Sequence, residues 1–133
     1  MDINMQNRNK VLAQTVIKGL ESRNMSGNYA ADKEAAVKQA LDLIPEGSSV
    51  AMGGCTSAHE IGLIKALEDG NYNYINREKL SPREGLLAAY DADVFFSSAN
   101  AITSDGVMVN IDGNSNRVSC IAQGPKKVVF IVG

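Results

Sequence analysis

The fold is decided by the stretch VMVNIDGNSNRV, residues 107–118, read together with SANAITSDG, residues 98–106. Asp105-Gly106 and Asp112-Gly113 are turn dipeptides, and the apolar run between them is rich in β-branched residues. Such dipeptides favour sharp bends, whereas β-branched residues favour extended backbone. The sequence therefore predicts a short strand between two bends, with amides, carboxylates and a guanidinium gathered at its ends.

A helix is predicted directly after the second bend. Asn114 or Ser115 can cap its start, and Gly124-Pro125 ends it. The free N–H groups at a helix start attract anions, and Arg117 lies within the first turn. This corner of the chain is therefore a candidate anion site.

Strands and helices alternate along the rest of the chain. The residue patterns predict strands over 49–52, 72–76, 93–98 and 127–133, and helices over 10–24, 32–44 and 81–90. Residues 28–31 are too short to interpret by pattern, but a helix–strand–helix order would make them a strand. The alternation predicts a three-layer α/β fold, in which a mainly parallel sheet carries helices on both faces.

A second glycine turn follows the first predicted strand. Gly53-Gly54 closes that strand, and Ser57 and Glu60 have the spacing of a capping box, which predicts a helix from there through Leu67. A glycine pair lets the backbone approach a ligand closely, and the helix start adds N–H donors. The turn is neither a dinucleotide-binding fingerprint nor a Walker loop, so its specificity as a motif is weak.

Composition excludes several classes of function. The 133 residues are 44% hydrophobic, enough for one domain with a core. A net charge of −2 with scattered Lys and Arg argues against nucleic acid or an anionic membrane as a partner. No stretch resembles a signal peptide or a membrane span, which makes the cytoplasm the expected location.

Metal centres are not expected inside this chain. Cys55 and Cys120 belong to no C-x-x-C motif, and His59 is the only histidine. These counts argue against an iron–sulfur cluster, a structural zinc site and a histidine-based catalytic triad.

The predicted topology places the polar residues at one edge. Ligands of open α/β sheets bind beyond the carboxyl ends of the strands. Three strand exits carry small or polar residues, at Gly53-Gly54, at residues 97–103 and at Gly133. We therefore expect the glycine turn and the amide-rich bend to meet in one pocket for a small anionic ligand.

The candidate ligand-binding residues are small or polar and flank these exits. They are Gly53, Gly54, Cys55, Thr56, Ser57, Glu60, Asn100, Thr103, Asn110, Asp112, Asn116 and Arg117. Arg117 is the best single clamp for a carboxylate or phosphate, because its guanidinium fork matches either group.

Structural alternatives stay open for most of these residues. Five polar residues of the corner either bind a polar ligand or bond one another and the nearby turns and so lock the corner, and the pattern fits both equally. They are Asn100, Asn110, Asp112, Asn116 and Arg117. Glu60 is first a capping carboxylate and second a general base. Cys55 is an ordinary small side chain rather than a nucleophile, since no basic partner is visible. No catalytic residue is assigned.

Three strings resemble the LUD domain, the lactate-utilisation family. They are GGCTSAHEIGL at 53–63, NAITSDGVMVNIDGNSNRV at 100–118 and GPKKV at 124–128. The resemblance implies a fold similar to the sugar-isomerase and CoA-transferase superfamily. It also implies a role in bacterial oxidation of L-lactate to pyruvate beside partner subunits. Iron–sulfur clusters are expected on those partners only, so no cofactor is expected in this chain.

The chain departs from the family pattern at a few positions. Cys55 stands where Ser is expected, Ser57-Ala58 where Thr-Leu is expected, and Ser115 where Gly is usual. A residue with a Cβ tolerates fewer conformations than Gly, so the backbone at Ser115 is the departure that matters most. The family also continues past residue 133, and we expect residues 1–133 to be one LUD-like domain lacking its C-terminal portion.

Two rival functions remain at this point. One is an independent enzyme of the sugar-phosphate isomerase or CoA-transferase kind, although capping already explains Glu60 and Glu84, and no lysine lies in the corner. The other is a non-catalytic scaffold that docks iron–sulfur subunits.

Overall fold

A computed structural model describes residues 3–53, 60–76, 79–112 and 116–132, with only the backbone of residues 116 and 117. The helices are α1 (Ile3–Glu21), α2 (Lys33–Asp42), α3 (Leu63–Asp69), α4 (Pro82–Tyr90) and α5 (Asn116–Ala122). The strands are β1 (Ser49–Met52), β2 (Asn73–Tyr74), β3 (Val94–Ser97), β4 (Ala101–Ile102), β5 (Met108–Val109) and β6 (Lys127–Phe130). β1 has the predicted bounds, and the strands predicted over 72–76, 93–98 and 127–133 are present but shorter.

Four strands form a parallel sheet in the order β2-β1-β3-β6. Met52 pairs with Phe96, and Ser97 pairs with Phe130, so the strands are nearly level at their carboxyl ends. β4 and β5 form a separate antiparallel hairpin between β3 and α5. β5 is the strand that the sequence predicts between the two bends, whereas β4 was not predicted.

Helices cover both faces of the sheet, as predicted. Successive side chains of a strand point to opposite faces. Met52 and Phe96 therefore face a core shared with α2 and α3, while Ala51 and Phe95 face a core shared with α4 and α5. The three-layer α/β prediction is confirmed.

Two predicted helix starts are confirmed by their caps. The Asp32 carboxylate accepts a hydrogen bond of 2.7 Å from the Ala35 amide at the start of α2. The Ser81 hydroxyl accepts one of 3.2 Å from the Glu84 amide in the first turn of α4. Each bond satisfies a backbone donor that would otherwise lack a partner.

The predictions for the amino-terminal region need correction. α1 begins at Ile3, seven residues before the predicted start. Residues 3–9 are exposed, and their two apolar side chains, Ile3 and Met5, are too few to show a helical periodicity in the sequence. Residues 28–31 form no strand. Their backbone is instead bound by α2, because the Gln39 side-chain amide donates a hydrogen bond of 3.1 Å to the Tyr29 carbonyl.

The helix predicted to run from Ser57 and Glu60 through Leu67 is also different. α3 begins only at Leu63, because Gly62 takes a left-handed backbone with φ +80° and breaks the helical path. Glu60 and Ile61 are helical before this break, and Ser57 lies outside the described residues. A glycine inside a helical pattern was the signal for the break.

Asp93 holds the amino-terminal edge of the sheet together. Its carboxylate accepts a hydrogen bond of 3.0 Å from the Ser49 backbone amide. Its own backbone amide donates a hydrogen bond of 2.9 Å to the Ser49 hydroxyl. The Lys126 ammonium lies 3.0 Å from the other carboxylate oxygen. The Ser49 backbone bond, followed by Lys126, lowers the pKa of Asp93 below its ordinary value.

This lowered pKa predicts a loss of stability in acid. Because the folded state holds the Asp93 proton less tightly than the unfolded state, its contribution is complete above about pH 4 and disappears below it. We expect the free energy of unfolding of wild type to fall more steeply below pH 4 than that of Asp93→Asn. Urea unfolding between pH 3 and 7 measures this, and parallel curves would contradict it.

Candidate functional site

The carboxyl ends of β1, β3 and β6 lie side by side. The Gly53 amide donates a hydrogen bond of 3.0 Å to the Phe96 carbonyl, and this bond joins the exits of β1 and β3. The Ile131 amide donates a hydrogen bond of 2.9 Å to the Ser97 carbonyl, and this bond joins the exits of β3 and β6. The described parts of the three exits therefore share one edge, with the β3 exit between the other two and Gly53 buried at the end of β1.

The hairpin that follows β3 is locked by its own polar side chains. The Asn100 side-chain oxygen accepts a hydrogen bond of 2.9 Å from the Ile111 backbone amide. The Asn100 backbone amide donates another, also of 2.9 Å, to the Val109 carbonyl. The Thr103 hydroxyl accepts 2.9 Å from the Val107 amide and donates to the Asp105 carboxylate. Asn100 thus makes the internal contact that the sequence left as one of two alternatives, and Thr103 makes similar contacts that were not predicted.

Asp112 lies at the start of α5. Its carboxylate accepts a 2.5 Å hydrogen bond from the Val118 amide. The carboxylate therefore occupies a donor that an anionic ligand would otherwise use. Burial, and then the nearby Asp112 charge, raise the pKa of the Cys120 thiol, so this cysteine is a packed side chain rather than a nucleophile.

Asn110 differs from its neighbours in the hairpin. Its side-chain oxygen is buried and has no hydrogen-bond partner among the described residues. A buried amide group without a partner costs about 1–3 kcal/mol, so such groups usually have a functional or structural explanation. Asn110 is therefore the described candidate with unused hydrogen-bonding capacity.

The tip of the hairpin contacts α1. Gly19 of α1 and Gly106 of the turn meet backbone to backbone. Arg23 lies 3.6 Å from the Asp105 carboxylate, and the Thr103 hydroxyl, more than Arg23, lowers the pKa of Asp105. The sequence did not predict this contact, because it joins two segments that are far apart in the chain.

Several predicted site residues cannot be placed in this way. The structure does not describe the residues that follow Gly53 or the side chains in the first turn of α5. These are Gly54, Cys55, Thr56 and Ser57, and the side chains of Asn116 and Arg117. Glu60 is exposed just before the break at Gly62. Their proposed contacts with a ligand stay predictions.

A groove of about 540 Å³ lies elsewhere, between α1 and α2. It is partly open to solvent, and its lining includes Lys10, Tyr29, Asp32 and Gln39 but none of the predicted site residues. In the described ranges, no cluster of three or more His, Cys, Asp or Glu side chains could hold a metal ion. No helix in the described part of the chain is both long and apolar enough to cross a membrane.

Comparison with known proteins identifies the family. No curated protein and no solved structure matches the chain significantly. The family model of the LUD domain, however, matches residues 13–133, which is nearly the whole chain. The chain therefore belongs to the LUD-domain family and shares its general connection with lactate utilisation.

Proposed function

We propose that this protein takes part in the oxidation of L-lactate to pyruvate and binds a small carboxylate at the carboxyl edge of its sheet. The observation that carries the proposal is the adjacency of the β1 and β3 exits. It puts the Gly53 turn beside the strand from which the polar hairpin leaves. Open α/β sheets bind their ligands at such an edge.

The chemistry of a 2-hydroxy acid suits the residues around this edge. Its carboxylate matches the guanidinium of Arg117. Its hydroxyl can donate to the Asn110 side-chain oxygen, a buried acceptor without a described partner, when a local opening of the hairpin exposes that atom. Pyruvate lacks the hydroxyl, so a site with this acceptor binds L-lactate in preference to pyruvate. The backbone at Gly53 allows the ligand to approach without a Cβ in the way.

The oxidation itself requires an electron acceptor. Converting L-lactate to pyruvate removes two electrons and two protons. We assign the electrons to iron–sulfur clusters on partner subunits, as the family resemblance implies, and the two protons to solvent. This chain then supplies binding and orientation of the acid.

A thermal-shift titration tests ligand binding. A ligand at 100 times its Kd stabilises the folded state by about 2.7 kcal/mol. We expect L-lactate to raise the melting temperature of wild type, with a smaller effect from pyruvate, which lacks the hydroxyl. Arg117→Ala should abolish the shift, whereas Arg83→Ala, which removes an exposed arginine in the first turn of α4, should retain it.

Two outcomes would overturn the proposal. One is the absence of a shift with any small carboxylate, and the other is an equal shift in wild type and Arg117→Ala. The pathway is tested separately by deleting the gene. Unchanged growth on L-lactate as sole carbon source would contradict the role in lactate oxidation.

A scaffold for partner subunits is the second candidate, and α1 is the observation that favours it. None of its residues is buried, and its exposed apolar side chains include Val11 and Leu12. Reconstitution with purified iron–sulfur subunits would distinguish the two functions. A scaffold binds those subunits through α1, loses them in Leu12→Glu, and shows no shift with carboxylates.

A further inference from the structure

The contact between α1 and the hairpin is unusually close. A Cβ on Gly19 would overlap the carbonyl oxygen of Asp105. A Cβ on Gly106 would lie 2.5 Å from the Leu20 amide nitrogen and 2.6 Å from the Gly19 carbonyl carbon. Real Cβ atoms do not approach backbone this closely, so the two segments can meet only because both positions are glycine.

Polar contacts on the same side fix the register of the two segments. The Arg23 guanidinium donates 3.5 Å to the Asp105 carbonyl and lies 3.6 Å from its carboxylate. The side chains are 46% and 71% exposed, so this ion pair orients the contact more than it stabilises it. Thr103 holds the Asp105 carboxylate from within the turn.

The hairpin depends on support from outside itself. β4 and β5 pair with each other and are not joined to the four-stranded sheet. Each strand has two residues, and isolated hairpins of this kind are marginal in water. In the described residues, α1 is the element that meets the hairpin at its tip. α1 in turn buries none of its own residues.

We propose that α1 is a positioning element for the carboxyl-edge site. Its Gly19 backbone holds the tip of the hairpin, and the hairpin carries Asn100 and Asn110 towards the ligand. When α1 undocks, the hairpin loses its fixed position and ligand affinity falls. The effect on affinity rests on the proposed binding of a carboxylate at that edge, whereas the docking itself does not.

Gly19→Ala tests the docking by hydrogen exchange. The added Cβ forces α1 and the tip apart while the helix itself tolerates alanine well. We expect faster exchange of the Thr103 and Val107 amides, which bond within the hairpin, and unchanged exchange of Gly53 and Ile131, which bond within the sheet. Lys18→Ala, at the neighbouring exposed position, should leave all four amides unchanged. Hairpin exchange equal to wild type in Gly19→Ala would overturn the proposal.

Calorimetric titration with L-lactate tests the effect on the site. We expect Gly19→Ala to weaken the Kd by about tenfold, with Arg23→Ala intermediate and Arg23→Lys near wild type. Faster hairpin exchange without loss of affinity would show that α1 does not position the site. If wild type binds no carboxylate, the proposed function and the positioning role both fail, and exchange alone then decides whether α1 docks the hairpin.

Discussion

Phe96→Ala is expected to lower the free energy of unfolding by about 3–5 kcal/mol, the range for large-to-small changes in a packed core. Phe96 is fully buried in β3, which lies between β1 and β6. Its ring packs into the core that the sheet shares with α2 and α3. Truncation removes apolar contacts and leaves a cavity that neighbouring helices and strands can fill only in part.

Urea unfolding followed by circular dichroism measures this loss. Leu87→Ala is the matched control, because Leu87 is an apolar residue of α4 that is 55% exposed. We expect the control to lose less than about 1 kcal/mol. A similar small loss in Phe96→Ala would contradict the central position of β3 in the core.

Gly106→Ala is expected to have the second largest effect. Gly106 is buried at the tip of the hairpin with φ +87°. The left-handed backbone alone lowers the free energy of unfolding by about 1–2 kcal/mol when an alanine adopts it. It must also move the backbone of α1 away, because its Cβ would lie 2.5 Å from the Leu20 amide nitrogen. Overpacking of this kind typically adds about 1–3 kcal/mol.

Gly47→Ala separates these two contributions. Gly47 has φ +78°, close to that of Gly106, but a Cβ there would meet nothing within 4 Å. The control therefore loses stability only through its backbone conformation and not through a steric clash. We expect Gly106→Ala to lose more stability than Gly47→Ala in urea unfolding and to lose the carboxylate thermal shift. Equal losses would show that the tip of the hairpin does not pack against α1.

The sheet was predictable from the sequence because its strands are short apolar runs between turn residues. Residues 93–98 and 127–133 were both predicted as buried strands, and β3 and β6 lie within them. β3 is buried throughout, whereas β6, at the end of the sheet, is exposed at Lys127 and only half-buried over 128–130. The caps at Asp32 and Ser81 were predictable for a local reason, since the capping bond is made within three residues of sequence.

Other features depend on contacts between distant residues and were not predicted. The approach of Gly19 to Gly106 joins segments that are far apart in sequence, and no local pattern encodes it. The break at Gly62 was missed because the apolar spacing of residues 61–67 continues across it. Residues 28–31 were predicted as a strand only from the order of elements, and the Gln39 contact with Tyr29 holds them instead.

The candidate site was predicted in outline. The sequence indicated that the exits of β1 and β3 share an edge, since parallel strands end together. It left open which polar residues bond one another, because asparagine and aspartate do so as readily as they bind ligands. In the structure, Asn100 and Thr103 bond within the hairpin, whereas the Asn110 side-chain oxygen has no partner among the described residues.

The most direct test of the account is a titration of isotope-labelled protein with L-lactate, followed amide by amide by NMR. We expect saturable shifts at Gly53, Asn100 and Asn110, on the carboxyl edge, and none at Ser49, which bonds Asp93 on the opposite edge. Shifts confined to the groove between α1 and α2, or no saturable shift at all, would contradict a carboxylate site at the carboxyl edge.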